Sequence, residues 1–265
     1  MVSSAMRARL SVVLVGARNP SNIGAAARAM HDFGFDTLRV VNEYAPPLEA
    51  AQIRSETSHF IDGSKAAVAA GHILANARRF DRLCDAISDC TLVVGTTAIG
   101  ERELTRPVLR LNDATEQIGR ALAAGSGALL FGSEKTGLTN EQLSYCQLLV
   151  TIPMFAPQGS RHLSMNLGQS VAVCLYELVR GGFEGSRDIP YIGADAPTSA
   201  SRERITQLLL EAMAVTGYAK RFPANAREHV VRQMAQQLGA TETEASTWMG
   251  FLRQVVRSAK RDVPS

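Results

Sequence analysis

Leu10-Ser11-Val12-Val13-Leu14-Val15, running into Gly16-Ala17-Arg18-Asn19-Pro20-Ser21-Asn22-Ile23-Gly24, is the stretch on which the fold turns. The first six residues are short, apolar and valine-rich, the composition of a buried strand. The next nine are polar and glycine-marked, and an alanine-rich run from Ala25 to Phe33 follows. Asn19 suits an N-cap with Pro20 at the first helical position, because proline lacks an N–H that the first turn leaves unpaired anyway. Gly34 suits a left-handed helix end. Thr37 to Val41 reads as the next strand. The unit is therefore strand, loop, helix, strand, with its polar loop at the carboxyl end of the strand.

The same texture continues downstream. Ala66 to Ser88 is helical in pattern, broken near Arg78, and Thr91 to Gly95 is a strand. Asp113 to Ala124 predicts a helix and Ala128 to Phe131 a strand. Thr139-x-x-Gln142 is a capping box for a short helix ending near Cys146. Leu148 to Ile152 reads as a strand and Leu163 to Arg180 as a long apolar-striped helix. Alternation of this kind predicts an α/β protein with a mostly parallel sheet flanked by helices on both faces. From Gly181 to Ala200 the composition turns to Gly, Pro, Ser and Asp, that of a linker. Apolar residues at helical spacing resume with Ile205, Leu208, Leu209, Ala212 and Met213. They recur at Val230, Val231, Met234 and Leu238, and again at Trp248, Phe251, Leu252, Val255 and Val256 after a second capping box, Thr241-x-x-Glu244. The expected organisation is a catalytic-type domain over 1–181, a linker over 182–200 and a three-helix extension over 201–265.

Bulk properties narrow the function. Apolar residues make up 46% of the 265 and charged residues 20%, so a core large enough to need no disulfide or metal is expected. The four cysteines (Cys84, Cys90, Cys146, Cys174) contain no Cys-x-x-Cys pair and the five histidines no His-x-x-x-His, which leaves a metal site without support. No apolar run approaches the roughly 20 residues that span a bilayer. Met1 to Arg9 is too short for a secretory leader, so a cytoplasmic address is expected. Net charge is +3, but Ser201 to Ser265 holds ten Lys/Arg against six Asp/Glu, while the first 200 residues sum to −1. A basic appendage on a near-neutral body suits a polyanion and also suits plain solvation.

Three polar, glycine-bearing loops follow predicted strands: Asn19 to Arg28, Gly132 to Leu138 and Pro153 to Asn166, with Gly95-Thr96-Thr97 as a fourth candidate. Loops at the carboxyl ends of strands form the ligand crevice of an open α/β sheet. The second loop lacks the Gly-Lys-Ser/Thr ending of a phosphate-binding loop. No Gly-x-Gly-x-x-Gly follows the first strand, so a nicotinamide-dependent oxidoreductase lacks its fingerprint.

The three loops together resemble the motifs of the SPOUT methyltransferases of the TrmH type. Asn19-Pro20-x-Asn22-Ile23-Gly24-Ala25-x-Ala27-Arg28 is similar to the first. Phe131-Gly132-x-Glu134-x-x-Gly137-Leu138-Thr139-Asn140 is similar to the second. Ile152-Pro153-Met154 with Leu163-Ser164-Met165-Asn166-Leu167-Gly168-Gln169-Ser170 and Tyr176-Glu177-Leu178 is similar to the third. They come in the family's order and cover about residues 10 to 180. Within the family the helical extension after a motif that begins at the N-terminus resembles the TrmJ branch.

That resemblance implies a trefoil knot at the C-terminal end of the sheet, S-adenosylmethionine as methyl donor, a homodimer, and tRNA as substrate. The methylated group would be the ribose 2′-hydroxyl of cytidine or uridine at position 32 in the anticodon loop. An rRNA 2′-O-methyltransferase and a non-catalytic RNA-binding member stand as alternatives. The resemblance places Arg28, Glu134, Ser164 and Asn166 in the catalytic centre. Cofactor contacts fall to Thr96, Thr97, Gly132, Glu134, Gly137, Ile152, Met154, Leu163, Ser164 and Leu167, with Met154 and Leu167 on the adenine. RNA contacts fall to Asn19, Asn22, Arg28, Arg102, Lys135, Lys220 and Arg221. The chain departs from the pattern where Ile99-Gly100-Glu101 intervenes before Arg102, and at Ser133 and Lys135, where relatives often place arginines.

Chemistry makes demands of its own on these residues. A ribose hydroxyl is hardly ionised at neutral pH, so in-line placement and help in losing the proton are needed, and no metal is required. A guanidinium offers donors and no acceptor, so Arg28 is expected to grip the adjacent phosphate and the 2′-oxygen rather than act as a base. Glu134 is expected to orient Arg28 or the ribose. Ser164 is a candidate N-cap, and Val171 to Leu178 is expected either to pack against a dimer mate or to fill the core.

Overall fold

A computed structural model describes residues 4–41, 65–98, 106–155, 164–180 and 195–261. Seven strands form one sheet, all of its pairings parallel: β1 (Leu10–Val15), β2 (Leu38–Val41), β3 (Arg78–Phe80), β4 (Leu92–Thr96), β5 (Val108–Arg110), β6 (Gly127–Phe131) and β7 (Leu148–Thr151). Their order across the sheet is β3-β2-β1-β6-β4-β7-β5. All their carboxyl ends therefore open on one edge, and β1, β6, β4 and β7 stand side by side at its centre.

Both faces are covered, as continuous apolar strands require. Val12 and Leu14 of β1, Leu129 and Phe131 of β6, and Leu92 and Val94 of β4 point to one face. There they meet α2 (Pro20–Phe33), α3 (Lys65–Ala75), α5 (Leu111–Ala124) and α7 (Leu167–Arg180). The alternate residues Val13, Val15, Leu130, Val93 and Leu149 point to the other, against α4 (Leu83–Ala86) and α6 (Asn140–Leu143). A four-residue α1 (Ser4–Arg7) precedes β1. Asn19 caps α2 by accepting from the Ser21 amide at 2.9 Å, Pro20 takes the first position, and Gly34 ends the helix at φ 75°. The Thr139/Gln142 capping box is reciprocal, with both bonds near 3 Å.

Three boundaries differ from the sequence reading. The helical pattern after Ala66 ends at Ala75 and gives way to β3, a three-residue edge strand whose Arg78 and Arg79 are exposed. The other edge, β5, follows Pro107 and was likewise not visible as a strand. Short charged edge strands carry almost no periodic signal, because water covers the side that periodicity would mark. The long helix begins at Leu167 rather than Leu163. Asn166 caps it, its Oδ1 accepting from the Gly168 and Gln169 amides at 2.9 and 3.3 Å, so the capping expected of Ser164 belongs to its neighbour but one.

The extension has four helices rather than three: α8 (Ser199–Val215), α9 (Tyr218–Arg221), α10 (Glu228–Ala235) and α11 (Glu242–Arg261). Ile205, Leu208, Ala235, Ala245 and Leu252 form its own core. At Thr241 only half of the expected box forms: its hydroxyl accepts from the Glu244 amide, while the Glu244 carboxylate accepts from the Ala240 amide instead of Thr241's own. The extension is seated on the α4/α6 side of the sheet. Ser199 N–H donates to the Cys90 carbonyl at 2.9 Å, Arg202 to the Thr91 carbonyl at 3.1 Å, and Gln147 to Gln236 at 2.7 Å.

Arg232 is the largest fully buried side chain in that seam, 1% exposed. Its guanidinium donates to Glu203 (3.0 Å), to the Ser144 hydroxyl (3.1 Å) and to Glu228, and lies 3.9 Å over the Tyr145 ring. Truncation would strip the charge from partners that folding has partly desolvated. Arg232→Ala is therefore expected to cost about 3–5 kcal/mol, read as a fall in denaturant midpoint. A midpoint within error of the wild type would show that the extension does not depend on this contact.

Candidate functional site

The centre of the sheet's carboxyl edge brings the three sequence motifs together. Glu134 lies in the loop after β6, and its carboxylate accepts three bonds from the loop after β1 and the first turn of α2. They come from the Arg18 amide (3.2 Å), the Asn19 amide (3.1 Å) and the Asn22 side-chain nitrogen (3.0 Å). Asn22 in turn accepts from Asn166 Nδ2 at 2.8 Å. Asn166, with its oxygen on the α7 amides, completes a chain from motif two through motif one to motif three. The chain fixes its own amide orientations: only a nitrogen of Asn22 can face the carboxylate, so its oxygen must face Asn166.

Desolvation pushes the Glu134 carboxyl up, but the Asn22 bond and the backbone amides outweigh it and hold the group below the ordinary carboxylate range. Glu134 is thus a saturated, ionised acceptor that shapes the loop. Its side-chain partner is Asn22 and not Arg28, one of the two partners expected from the sequence.

The glycines of the second motif have a steric reason. A Cβ at Gly132 would stand 2.0 Å from the Gly137 carbonyl carbon and 2.1 Å from the Leu138 nitrogen. The loop folds back so closely, through a bridge between Ser133 and Gly137, that no side chain fits. Gly137 itself sits at φ 66°, where L residues are strained. Gly168 lets α7 close on α2, since a Cβ there would meet Ala25 Cβ at 2.5 Å.

Arg28 lies on the exposed side of α2, half exposed, with Nε 3.6 Å from Asp32 one turn on. Six residues of helix put it about 9 Å along the axis from Asn22. Lys135, Lys220 and Arg221 are exposed, and the Arg221 guanidinium sits 5.3 Å from the Phe222 ring centre. Ser164 is exposed at the start of the third motif, while Leu163 and Arg102 lie outside the described residues.

Of the expected cofactor side chains, several are spent within the fold. Thr96 Oγ1 donates to the Leu130 carbonyl at 2.8 Å, and the Thr97 amide donates to the Val150 carbonyl at 2.9 Å. These bonds pin the end of β4 between β6 and β7, so what β4 offers a ligand is its terminal backbone. Leu167 is 5% exposed and packed in the core with Ile23 and Val171. Ile152 and Met154 are half-buried at the end of β7. Beside them Phe155, which sequence reasoning passed over, is 87% exposed. Val171, Cys174, Leu175 and Leu178 of α7 are core, whereas Tyr176 stands half exposed with its ring edge-on to Phe33, centroids 6.0 Å apart. Among the described residues no group of His, Cys, Asp or Glu could hold a metal ion.

The model of the SpoU rRNA methylase family matches residues 9–176, the segment that carries all three loops and all seven strands of the sheet. The chain belongs to that family. SpoU-family relatives extend the likeness beyond the matched segment. It is 28% identical over 97% of its length to a tRNA (cytidine/uridine-2′-O-)-methyltransferase TrmJ of Sodalis glossinidius, 94% of which is covered. It is 38% identical to the tRNA (cytidine/uridine/adenosine-2′-O-)-methyltransferase TrmJ of Pseudomonas aeruginosa over 64% of this chain and 60% of that one. The crystal structure of TrmJ from Z. mobilis ZM4 superposes with a TM-score of 0.71 at 27% identity, covering 92% of this chain and 98% of the other. In this SpoU-family chain the helical extension is thus part of the likeness.

Proposed function

We infer that the protein moves the methyl group of S-adenosylmethionine to the ribose 2′-hydroxyl of cytidine or uridine in tRNA, at position 32 of the anticodon loop. The observation that carries this reading is the hydrogen-bonded chain from Glu134 through Asn22 to Asn166, which gathers the three loops on one edge beside the helix of Arg28. The TrmJ relatives support ribose methylation of tRNA, and family membership supports a methyl transfer. With the family come a trefoil knot and a homodimer in the cytoplasm. No helix among the described residues is long and apolar enough to cross a membrane.

The residues present fit the methyl donor. The ends of β6, β4 and β7 are adjacent, about 10 Å across at ordinary strand spacing, which is the scale of a nucleoside. Strand-end backbone at Thr96, Thr97, Gly132 and Ile152 would hold its polar edge, and Met154 the ring, with Ser164 and Gly137 at the rim. When bound, S-adenosylmethionine supplies a methyl group on a sulfonium, already a good electrophile. The protein's own part lies with the sugar oxygen. Arg28 grips the phosphate and the 2′-oxygen through its fork, stabilising charge as the proton leaves to phosphate or water. Glu134, Asn22 and Asn166 are positioning residues that hold α2 and α7 in register. Lys135, Lys220 and Arg221, with Arg102, hold phosphates of the tRNA, and residues 201–265 act as its second grip. Asn19 serves mainly as the cap of α2.

Gly24 supports an approach from outside the protomer. A glycine inside a helix costs about 0.5–1 kcal/mol relative to alanine, yet a Cβ at Gly24 would meet nothing within 4 Å. Gly24→Ala is therefore expected to raise the melting temperature slightly while lowering kcat/KM for tRNA at least tenfold. Unchanged kinetics would remove Gly24 from the site.

The function itself is tested by calorimetric titration with S-adenosylmethionine, followed by transfer of labelled methyl to total tRNA and to rRNA. Binding with transfer to tRNA is expected. No binding would favour a pure RNA-binding member, and transfer to rRNA alone an rRNA enzyme.

A further inference from the structure

A second cleft, of about 580 Å³, opens on the same edge of the sheet beyond the β1 loop, at the ends of β1, β2 and β3. Its floor is apolar, from Val15, Val41 and Leu83. Five charged side chains line it: Arg18, Asp81, Arg82, Glu141 and Glu228. All five are exposed, and Arg18, Asp81, Arg82 and Glu141 make no side-chain hydrogen bond or ion pair among the described residues. The outer wall is Tyr145 and Glu228, and Glu228 is held by the buried Arg232. The loop that separates this cleft from the Glu134 network is a single layer: Arg18 lines the cleft with its side chain while its amide donates to Glu134.

Charges of both signs, with the Tyr145 ring beside them, narrow the choice of ligand. A phosphate would meet three carboxylates as well as two guanidiniums, and gains little. A simple cation meets the converse. A flat, neutral group whose rim carries both donors and acceptors suits charges of both signs and can lie against the Tyr145 ring, and a nucleobase is such a group. The volume accommodates a nucleoside with its solvent. Resting on the tRNA reading above, we propose that this cleft takes an unpaired base of the RNA loop next to the methylated nucleotide, and reads its edge through Arg18, Asp81, Arg82 and Glu141. Target choice would then depend on a neighbouring base as well as on the target itself.

Cys84 lines the cleft and is half-buried, whereas the other three cysteines are buried, so one thiol reports on occupancy. Burial pushes the Cys84 thiol up, so maleimide labelling belongs near pH 8. With saturating tRNA, labelling of Cys84 in the full-length protein is expected to slow about fivefold or more. In the Asp81→Asn/Arg82→Gln protein, KM for tRNA should rise about tenfold with kcat nearly unchanged, and sensitivity to the base flanking the target should shrink. Labelling that is indifferent to bound tRNA overturns the proposal. So does protection of Cys84 combined with an unchanged KM and base preference in the double variant. A wild-type protein that transfers no methyl to tRNA would instead defeat the functional reading, and it is told apart by the transfer assay alone.

Discussion

Arg28→Lys is expected to lower kcat for tRNA methylation about a hundredfold while leaving S-adenosylmethionine affinity and stability where they are. Lysine keeps the charge but offers a single ammonium in place of the planar fork that can span a phosphate and the 2′-oxygen together. Removing one preorganised donor from a site where negative charge develops typically costs between a hundredfold and a thousandfold. Stability should be insensitive because the Arg28–Asp32 contact is half exposed, one turn apart and 3.6 Å long. Such a pair contributes less than about 0.5 kcal/mol. Steady-state kinetics beside a melting curve decide it. A wild-type kcat in Arg28→Lys would show that charge alone is needed there.

The second large effect is expected at Glu134, and it spreads. Glu134→Gln leaves one acceptor where three donors converge, the Arg18 and Asn19 amides and the Asn22 nitrogen. If Asn22 turns its oxygen to the new amide, its nitrogen confronts the nitrogen of Asn166. Asn166 must then turn as well, and it loses the cap it places on α7. A loss of about 1–3 kcal/mol from unmet polar groups is expected, with kcat reduced about a hundredfold. The pH dependence carries the same signature. The folded carboxyl sits below its ordinary range. Its contribution is therefore full above the unfolded value and is lost as pH falls through the folded one. Acid should destabilise the wild type through this group, and Glu134→Gln should show a flatter profile below about pH 4. Parallel profiles for the two proteins would remove the carboxylate from the network.

How far the sequence reached follows from what each residue does. Caps were legible because Asn19-Pro20, Gly34 and Thr139-x-x-Gln142 act on their own neighbours, and local chemistry is written locally. The central strands were legible because both of their faces are buried, so Val12 to Val15 is apolar without interruption. β3 and β5 were not, since an edge strand such as Arg78-Arg79-Phe80 is chosen to resist pairing rather than to fill a core. Gly132 was marked but its reason was hidden: the clash lies with Gly137 and Leu138, and shows only once the loop closes on itself. Leu163 to Leu167 looked like the start of a helix because its apolar residues keep helical spacing, yet Asn166 stops the pattern by capping. Above all, the partner of Glu134 was out of reach. Glu134 and Asn22 are 112 positions apart, and Asn166 lies a further 32 beyond Glu134. Nothing in the spacing says that an asparagine rather than Arg28 closes the contact. The resemblance to methyltransferase motifs brought these residues into one list; the sheet order, with β1 beside β6 and β4 beside β7, explains how they meet.

The most direct test of the central claim is nucleoside analysis, by mass spectrometry, of unmodified tRNA incubated with the full-length protein and S-adenosylmethionine. The expected result is 2′-O-methylcytidine or 2′-O-methyluridine at a single anticodon-loop position, absent when Arg28→Lys replaces the wild type. A methyl group found on a base, or on ribose in rRNA but never in tRNA, would contradict the assignment of these three loops to that chemistry.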